Sequence, residues 1–263
     1  MKKIFEKKEG VLKKINESFP LKKEHNHIKS GTSGILYAII FALIFCIFLY
    51  SPINIATTAM EPELLRGDFI LASKFSYGYS KYSFPIKMPI KGRIFESLPK
   101  RGDVVVFRVP RNGIGIHRLV GLPGDKVQMK DGILYLNNKA IPREFIKIQE
   151  DDDKKQIAGE YRKVALRYLE TLPEGKAYEM LDAMEGGIVD TTGAYIVPKG
   201  YYFVIGDNRD ESLDSRFKSV GFISLEQIIG KPHFVLISLE ENTFKFWKWP
   251  FVIKWSRFFR IIK

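Results

Sequence analysis

The chain has 263 residues, 45% hydrophobic and 13% aromatic, which suits one good-sized core or two small ones and excludes disorder as the default for the chain. Its formal net charge of +12 sits at the ends: residues 1–33 hold nine Lys and four Glu, residues 244–263 hold six Lys or Arg and no acid, and the rest nets +1. A nearly neutral middle excludes a nucleic-acid-binding body, because phosphate neutralisation needs clustered cations on the folded part.

The single cysteine, Cys46, lies inside an apolar run, so no intrachain disulfide and no Cys-rich zinc site can form. The histidines offer only a His25-x-His27 pair in the basic N-terminus, which reads as solvated tail. No other metal-ligand spacing appears among the histidines.

From Ser30 to Met60 no residue is charged, and "GILYAIIFALIFCIFLY", Gly34 to Tyr50, is almost wholly apolar. At a rise of roughly 1.5 Å per residue this run and its uncharged flanks can cross about 30 Å of hydrocarbon. A soluble core helix would show a polar face over such a length, and a cleaved leader would be shorter and nearer the start. The expectation is a transmembrane helix over 34–52 behind a basic cytoplasmic segment, 1–33, with the remainder on the external side of the membrane.

The stretches "GDFILASKF", "GDVVVFRVP", "DKVQMK", "GILYLN" and "YYFVIGD" alternate between Gly, Pro and Asp breaks and read as strands of a β domain over 53–243. The Asp131-Gly132 step between two of them predicts a tight hairpin. Between about 150 and 197 the charges are mixed and period-two order is weak, which predicts an inserted cap, either subdomain or long loop. The last segment, residues 244–263, interleaves all three Trp with Lys and Arg. It reads as an interfacial segment meeting anionic lipid, with an aromatic edge packed on the domain as the alternative.

Four stretches come after the apolar run in order: "INIATTAMEPELLRGDFILASKFSYGYS", "RGDVVVFRVP", "IHRLVGLPGDKVQ" and "GDNRDESLDSR". Together they resemble the bacterial type I signal peptidases, membrane-bound serine endopeptidases that remove signal peptides from exported preproteins. The resemblance implies a mostly β, antiparallel extracytoplasmic domain with an inserted cap, no cofactor, and signal peptides as partners. In such enzymes a Ser directly before Met attacks the scissile carbonyl and a Lys kept neutral by a dry setting takes its proton. A Ser and an Asp orient that Lys.

Carried over residue by residue, the pattern breaks at both reactive positions. Ala59 stands where the Ser should precede Met60, and His117 stands where the Lys should precede Arg118. Ser212 and Asp214 match the orienting pair; Gly206, Asp207, Asn208, Arg209, Asp210 and Arg216 match the frame, and Met60 and Pro62 match the nucleophile segment. An imidazole can replace Lys as base. A methyl group cannot attack a carbonyl, and losing the nucleophile costs on the order of a million-fold in turnover. In an extended segment Thr58 points to the opposite face and Thr57 stands about 7 Å from Ala59; both are read, with Met60 and Pro62, as substrate-binding, and a Thr acting as nucleophile is the less favoured alternative. An engineered Ser-to-Ala trap would explain Ala59 and leave His117 unexplained.

Three functions are then open: a degenerate relative that still recognises signal peptides, a working peptidase using His117, Ser212 and Asp214 in unconventional chemistry, and a membrane-tethered protein binding anionic lipid.

Overall fold

The computed structural model describes residues 21–86, 88–109, 113–150, 164–183, 187–239 and 252–262. The chain divides into two units, Met1–Cys46 and Ile47–Lys263.

Helix α1 spans Leu21–Ile44, followed by a π-helical turn over Phe45–Leu49. The helix starts well before residue 34, inside the Lys-rich segment, and helical structure ends at Leu49, before residue 52. Pro52 lacks the N–H that a continuing helix needs, and strand β1, Tyr50–Asn54, instead pairs antiparallel with Phe69–Ser73 of β2, Asp68–Ser73. Among the described residues no helix is long and apolar enough to cross a membrane, the apolar run being shared between α1, the π-helical turn and β1. Within α1, Ile35, Leu36, Ile39, Ile40, Phe41 and Leu43 are all exposed, so its apolar side chains are not confined to one buried stripe.

The second unit is antiparallel β throughout its named pairs. Besides β1 and β2 its main sheet holds β3 (Val104–Arg108), β4 (Ile114–Gly121), β12 (Tyr201–Ile205), β13 (Ile223–Ser224), β14 (Ile228–Ser238) and β15 (Arg260–Ile261). The order is β1-β2-β14-β3-β4-β12-β13, with β15 also on β14. A four-stranded sheet runs β11 (Tyr195–Ile196), β5 (Lys126–Lys130), β6 (Ile133–Leu136), β7 (Lys139–Ala140). Asp131 and Gly132 turn β5 into β6 with φ of 49° and 73°, the left-handed pair a two-residue hairpin demands.

Inside the stretch predicted as a cap, two strands join one that ends at its start, Glu150, in a third sheet, while Tyr195–Ile196 belongs to the four-stranded sheet. Strands β8 (Arg143–Glu150), β9 (Val164–Thr171) and β10 (Ala177–Ala183) lie in the order β10-β9-β8. Alternation was masked because charged residues take inward positions: Glu170 is fully buried and Asp182 nearly so. Residues 151–163 and 184–186, part of the same prediction, lie outside the described residues.

Packed apolar layers hold the sheets together among the described residues, three of them larger than the fourth, which is Ala72, Val106 and Ile229. Met129, Leu134, Leu136, Met180, Phe203 and Ile205 join the small sheets to the main one. Val105, Phe107, Leu119, Val204 and Ile228 fill the far half of the main sheet. Ile55, Met60, Leu64, Ile70, Val104, Val235 and Ile262 form the third layer.

Ile262 belongs to the segment predicted to meet lipid. Of that segment, residues 244–251 and 263 lie outside the described residues. Over 252–262 the chain packs on the domain in part: β15 pairs with Phe234 and Val235, and Arg257 is buried. The cation is taken by Asp68, 3.0 Å away at Nε, so this Arg is not available to an anionic lipid. Trp255, Phe258, Phe259 and Ile261 remain exposed.

Candidate active site

Strand β4 delivers neighbouring residues to opposite faces, as a period of two requires. Arg118 points into a buried frame. Its Nε and Nη2 donate to the two carboxylate oxygens of Asp207, each at 2.7 Å, its Nη1 donates to Gly102 O at 2.9 Å, and its plane lies 4.2 Å over the Tyr178 ring. Arg209 pairs with Glu170, which also accepts from the Tyr178 hydroxyl. Arg216 grips both oxygens of Asp214 at 2.9 and 2.8 Å and donates to Arg209 O at 2.5 Å. All three guanidiniums are essentially without solvent, so each needs its carboxylate.

His117, on the other face, lines an apolar groove of about 600 Å³. One wall is Pro52 to Thr57, the other Ile114 to His117, and Ala59 and Met60 lie between them with Glu211 and Leu213 at the rim. Both walls offer strand edges. β1 ends the main sheet, and β12 pairs with β4 only from Arg118 onward, which leaves Ile114–His117 unpaired on that side among the described residues.

The expected reactive positions meet here. Ala59 is buried at 7% exposure, its carbonyl accepting from Asn208 N at 3.1 Å, while Asn208 Nδ2 donates to Thr58 O at 3.2 Å. Gly206 closes the same corner: a Cβ there would lie 2.2 Å from Ser212 Oγ and 2.6 Å from Ala59 O, so only glycine fits. Gly206 N donates to Asp214 Oδ2 at 2.9 Å. His117 is 6% exposed, with its ring 5.6 Å from that of Phe107. Burial pushes its pKa down to about 4, against the pull of the Asp214 carboxylate and with a further push from Arg216. The imidazole is therefore neutral at neutral pH. Its Nδ1 and the Ser212 Oγ are both buried without a hydrogen-bond partner among the described residues. Asp214 stays ionised: burial raises its pKa, but the Arg216 hydrogen bonds and charge outweigh this and hold it below the usual range.

The nucleophile segment is bent, not extended. Glu61 N donates to Thr58 O at 3.0 Å and Leu64 N to Met60 O at 2.8 Å, so the strand spacing expected around Thr57 and Thr58 does not apply. Thr57 is exposed and lines the groove; Thr58 does not line it. Met60 lines it and is also core, at 2% exposure. Pro62 is buried away from the groove, after a cis peptide bond. Sequence reading missed the apolar walls, Ile53, Ile55, Ile114 and Ile116, although the Ile-Asn-Ile and Ile-Gly-Ile alternations carry them. Outside the groove, Asp182, Asp190 and Asp210 bring carboxylate oxygens within 4.8 Å of one another; Arg143 already pairs with Asp182 at 2.9 Å.

Comparison with known proteins agrees with the order of the motifs. The family profile described as signal peptidase, peptidase S26, matches residues 28–237. A signal peptidase I of Rickettsia typhi is 36% identical over 228 residues, covering 82% of this chain and 83% of its own. One of Rickettsia canadensis is 40% identical over 214 residues, covering 77% of each. A crystal structure of a signal peptidase I from Enterococcus faecalis matches 51% of this chain and 97% of its own at 27% identity, with a TM-score of 0.28. On the breadth of the sequence matches, the chain belongs to the signal peptidase I family, peptidase S26.

Proposed function

We propose that the groove binds the extended end of a signal peptide from an exported preprotein, and that the chain does not cut it by the Ser-Lys route. The observation that carries this reading is Ala59 at the groove floor. A peptide laid between β1 and Ile114–His117 can take main-chain hydrogen bonds from both edges while small side chains enter the apolar space. Its scissile carbonyl would meet a methyl group, and His117, though neutral and able to accept a proton, makes no hydrogen bond through Nδ1 to a hydroxyl among the described residues.

Water attack assisted by His117 is the second reading, favoured by the unpartnered Nδ1. Against it, an imidazole whose pKa is held at about 4 is a weak base. The exposed apolar side chains of α1 support a single-pass anchor with the basic N-terminus in the cytoplasm. The exposed Trp255, Phe258 and Phe259 support lipid contact by the tail.

The test uses the full chain in detergent micelles with a fluorescent model signal peptide. Saturable binding with no product by mass spectrometry over hours is the expected result. Cleavage abolished by His117→Ala establishes the water reading, and absence of binding removes both.

A further inference from the structure

The family profile stops at residue 237, yet the segment 252–262 packs, through Ile262, in one layer with the groove-lining Ile55 and Met60. Arg257 is 7% exposed. It donates through Nε to Asp68 Oδ1 at 3.0 Å and through Nη2 to the other carboxylate oxygen and to Glu63 O, the latter at 3.0 Å. Arg260 Nη2 lies 3.1 Å from Glu63 Oε2. Ile262, anchored by its N–H on His233 O at 2.9 Å, packs in the same layer as Ile55 and Met60.

Asp68 is the corner of the loop that descends from Met60. Its carboxylate accepts from Leu65 N at 2.9 Å, and its backbone carbonyl accepts from Ile55 N at 2.8 Å. Gly67 N returns the bond to Ile55 O at 2.9 Å. The route from the C-terminal segment to the groove wall is thus two steps long: Arg257 to Asp68, and Asp68 to Ile55. A second route is direct contact of the Ile262 layer with Met60. Packed interiors do not yield smoothly, so loosening either route displaces the wall as a block.

We infer that Arg257, Arg260 and Ile262 are positioning residues for the groove, holding Ile55 and Met60 in place without touching the peptide. The inference rests on the groove being a peptide site. It assigns to the C-terminal segment a role beyond lipid contact: the outward side chains Trp255, Phe258 and Phe259 and the inward Arg257 and Ile262 belong to one short stretch, so whatever holds the outer face also steadies the site.

The experiment compares full-length wild type with Arg257→Gln, Arg257→Lys and Ile262→Ala. It measures the Kd for two peptides, with Ala or Val at the residue before the cut, and hydrogen exchange at the Ile55 and Gly67 amides. Arg257→Gln and Ile262→Ala are expected to weaken Ala-peptide binding about tenfold, a change in Kd large enough to read directly. The Ala-over-Val preference should narrow and exchange at Ile55 and Gly67 quicken, with Arg257→Lys recovering most of each. Mere loss of stability would not change the preference between the two peptides. Faster exchange with Kd and preference unchanged overturns the inference. If Arg257→Gln does not fold, Arg260→Gln, whose pair is partly exposed, reads the same quantities. A wild type that binds neither peptide overturns the peptide site itself, an outcome these variants do not mimic.

Discussion

The buried frame and the groove beside it are served by the same strand and treated differently. On one face of β4, Arg118 has its guanidinium satisfied by Asp207 and a carbonyl; on the other, His117 keeps a buried Nδ1 with no partner among the described residues. The frame has large energies at stake, because three guanidiniums out of reach of water each depend on one carboxylate. The reactive positions have little. Ala59 fits its corner through its backbone carbonyl, which any residue would supply, and a neutral imidazole needs no counter-ion. Substitution at the two groove positions therefore disturbs few partners, whereas substitution in the frame strands a charge.

The sharpest way to break the contrast is to install the Ser-Lys pair that the family pattern carries at these two positions. The surroundings that push the pKa of His117 down to about 4 penalise any cation there, burial first and the Arg216 charge with it, so a Lys would also be driven towards its neutral form. The double variant Ala59→Ser, His117→Lys should then cleave a model preprotein on the order of a thousand-fold faster than wild type, judged against the cost of losing a nucleophile. Product appearance by mass spectrometry checks it. A double variant that binds peptide but stays silent would mean that the frame no longer places the two groups for reaction.

The frame is tested next by removing a partner. Asp207→Ala leaves the Arg118 guanidinium buried and uncompensated and should cost about 3–5 kcal/mol. The readout is the urea midpoint at unchanged slope. Ala59→Ser, by contrast, should leave that midpoint nearly unmoved.

Legibility in the sequence divides along the same line. Strands with clean alternation and an Asp-Gly turn were legible, and the ordered motifs were enough to give the family. Strand β14 was not: Gly230 and Pro232 interrupt it, and its pairing shifts register twice against β2. It carries Pro232 because β3 pairs with it only at Ile228 and Gly230, leaving the ladder on that side before the missing N–H is reached. The cap sheet was hidden by Glu170, whose charge is inward because Arg209 meets it across 39 residues of sequence. The inward side of the tail was not legible, because local composition cannot show that Arg257 finds Asp68, 189 residues away. The groove walls escaped notice for a related reason: β1 and the start of β4 are distant in sequence and become one cleft only through the sheet.

A smaller effect separates His117 from its neighbours by pH. Its folded pKa of about 4 lies below the ordinary 6.5, so between these values the unfolded chain binds a proton that the native chain refuses. Stability contributed by the neutral imidazole is full above about pH 6.5 and is lost as pH falls towards 4, at most about 3 kcal/mol at 1.36 kcal/mol per unit. His233, also pushed down by burial and by Lys231, acts in the same direction, whereas Asp207 and Asp182, raised by burial, act in the opposite one. The wild-type curve alone therefore mixes signs. The difference between wild type and His117→Gln cancels the neighbours' contributions to the extent that their environments are unchanged. That difference should be flat above pH 7 and narrow as the solution is acidified to pH 4, the wild type losing its advantage. A difference that stays constant across this range would mean that His117 titrates alike folded and unfolded, and that the groove floor is wet.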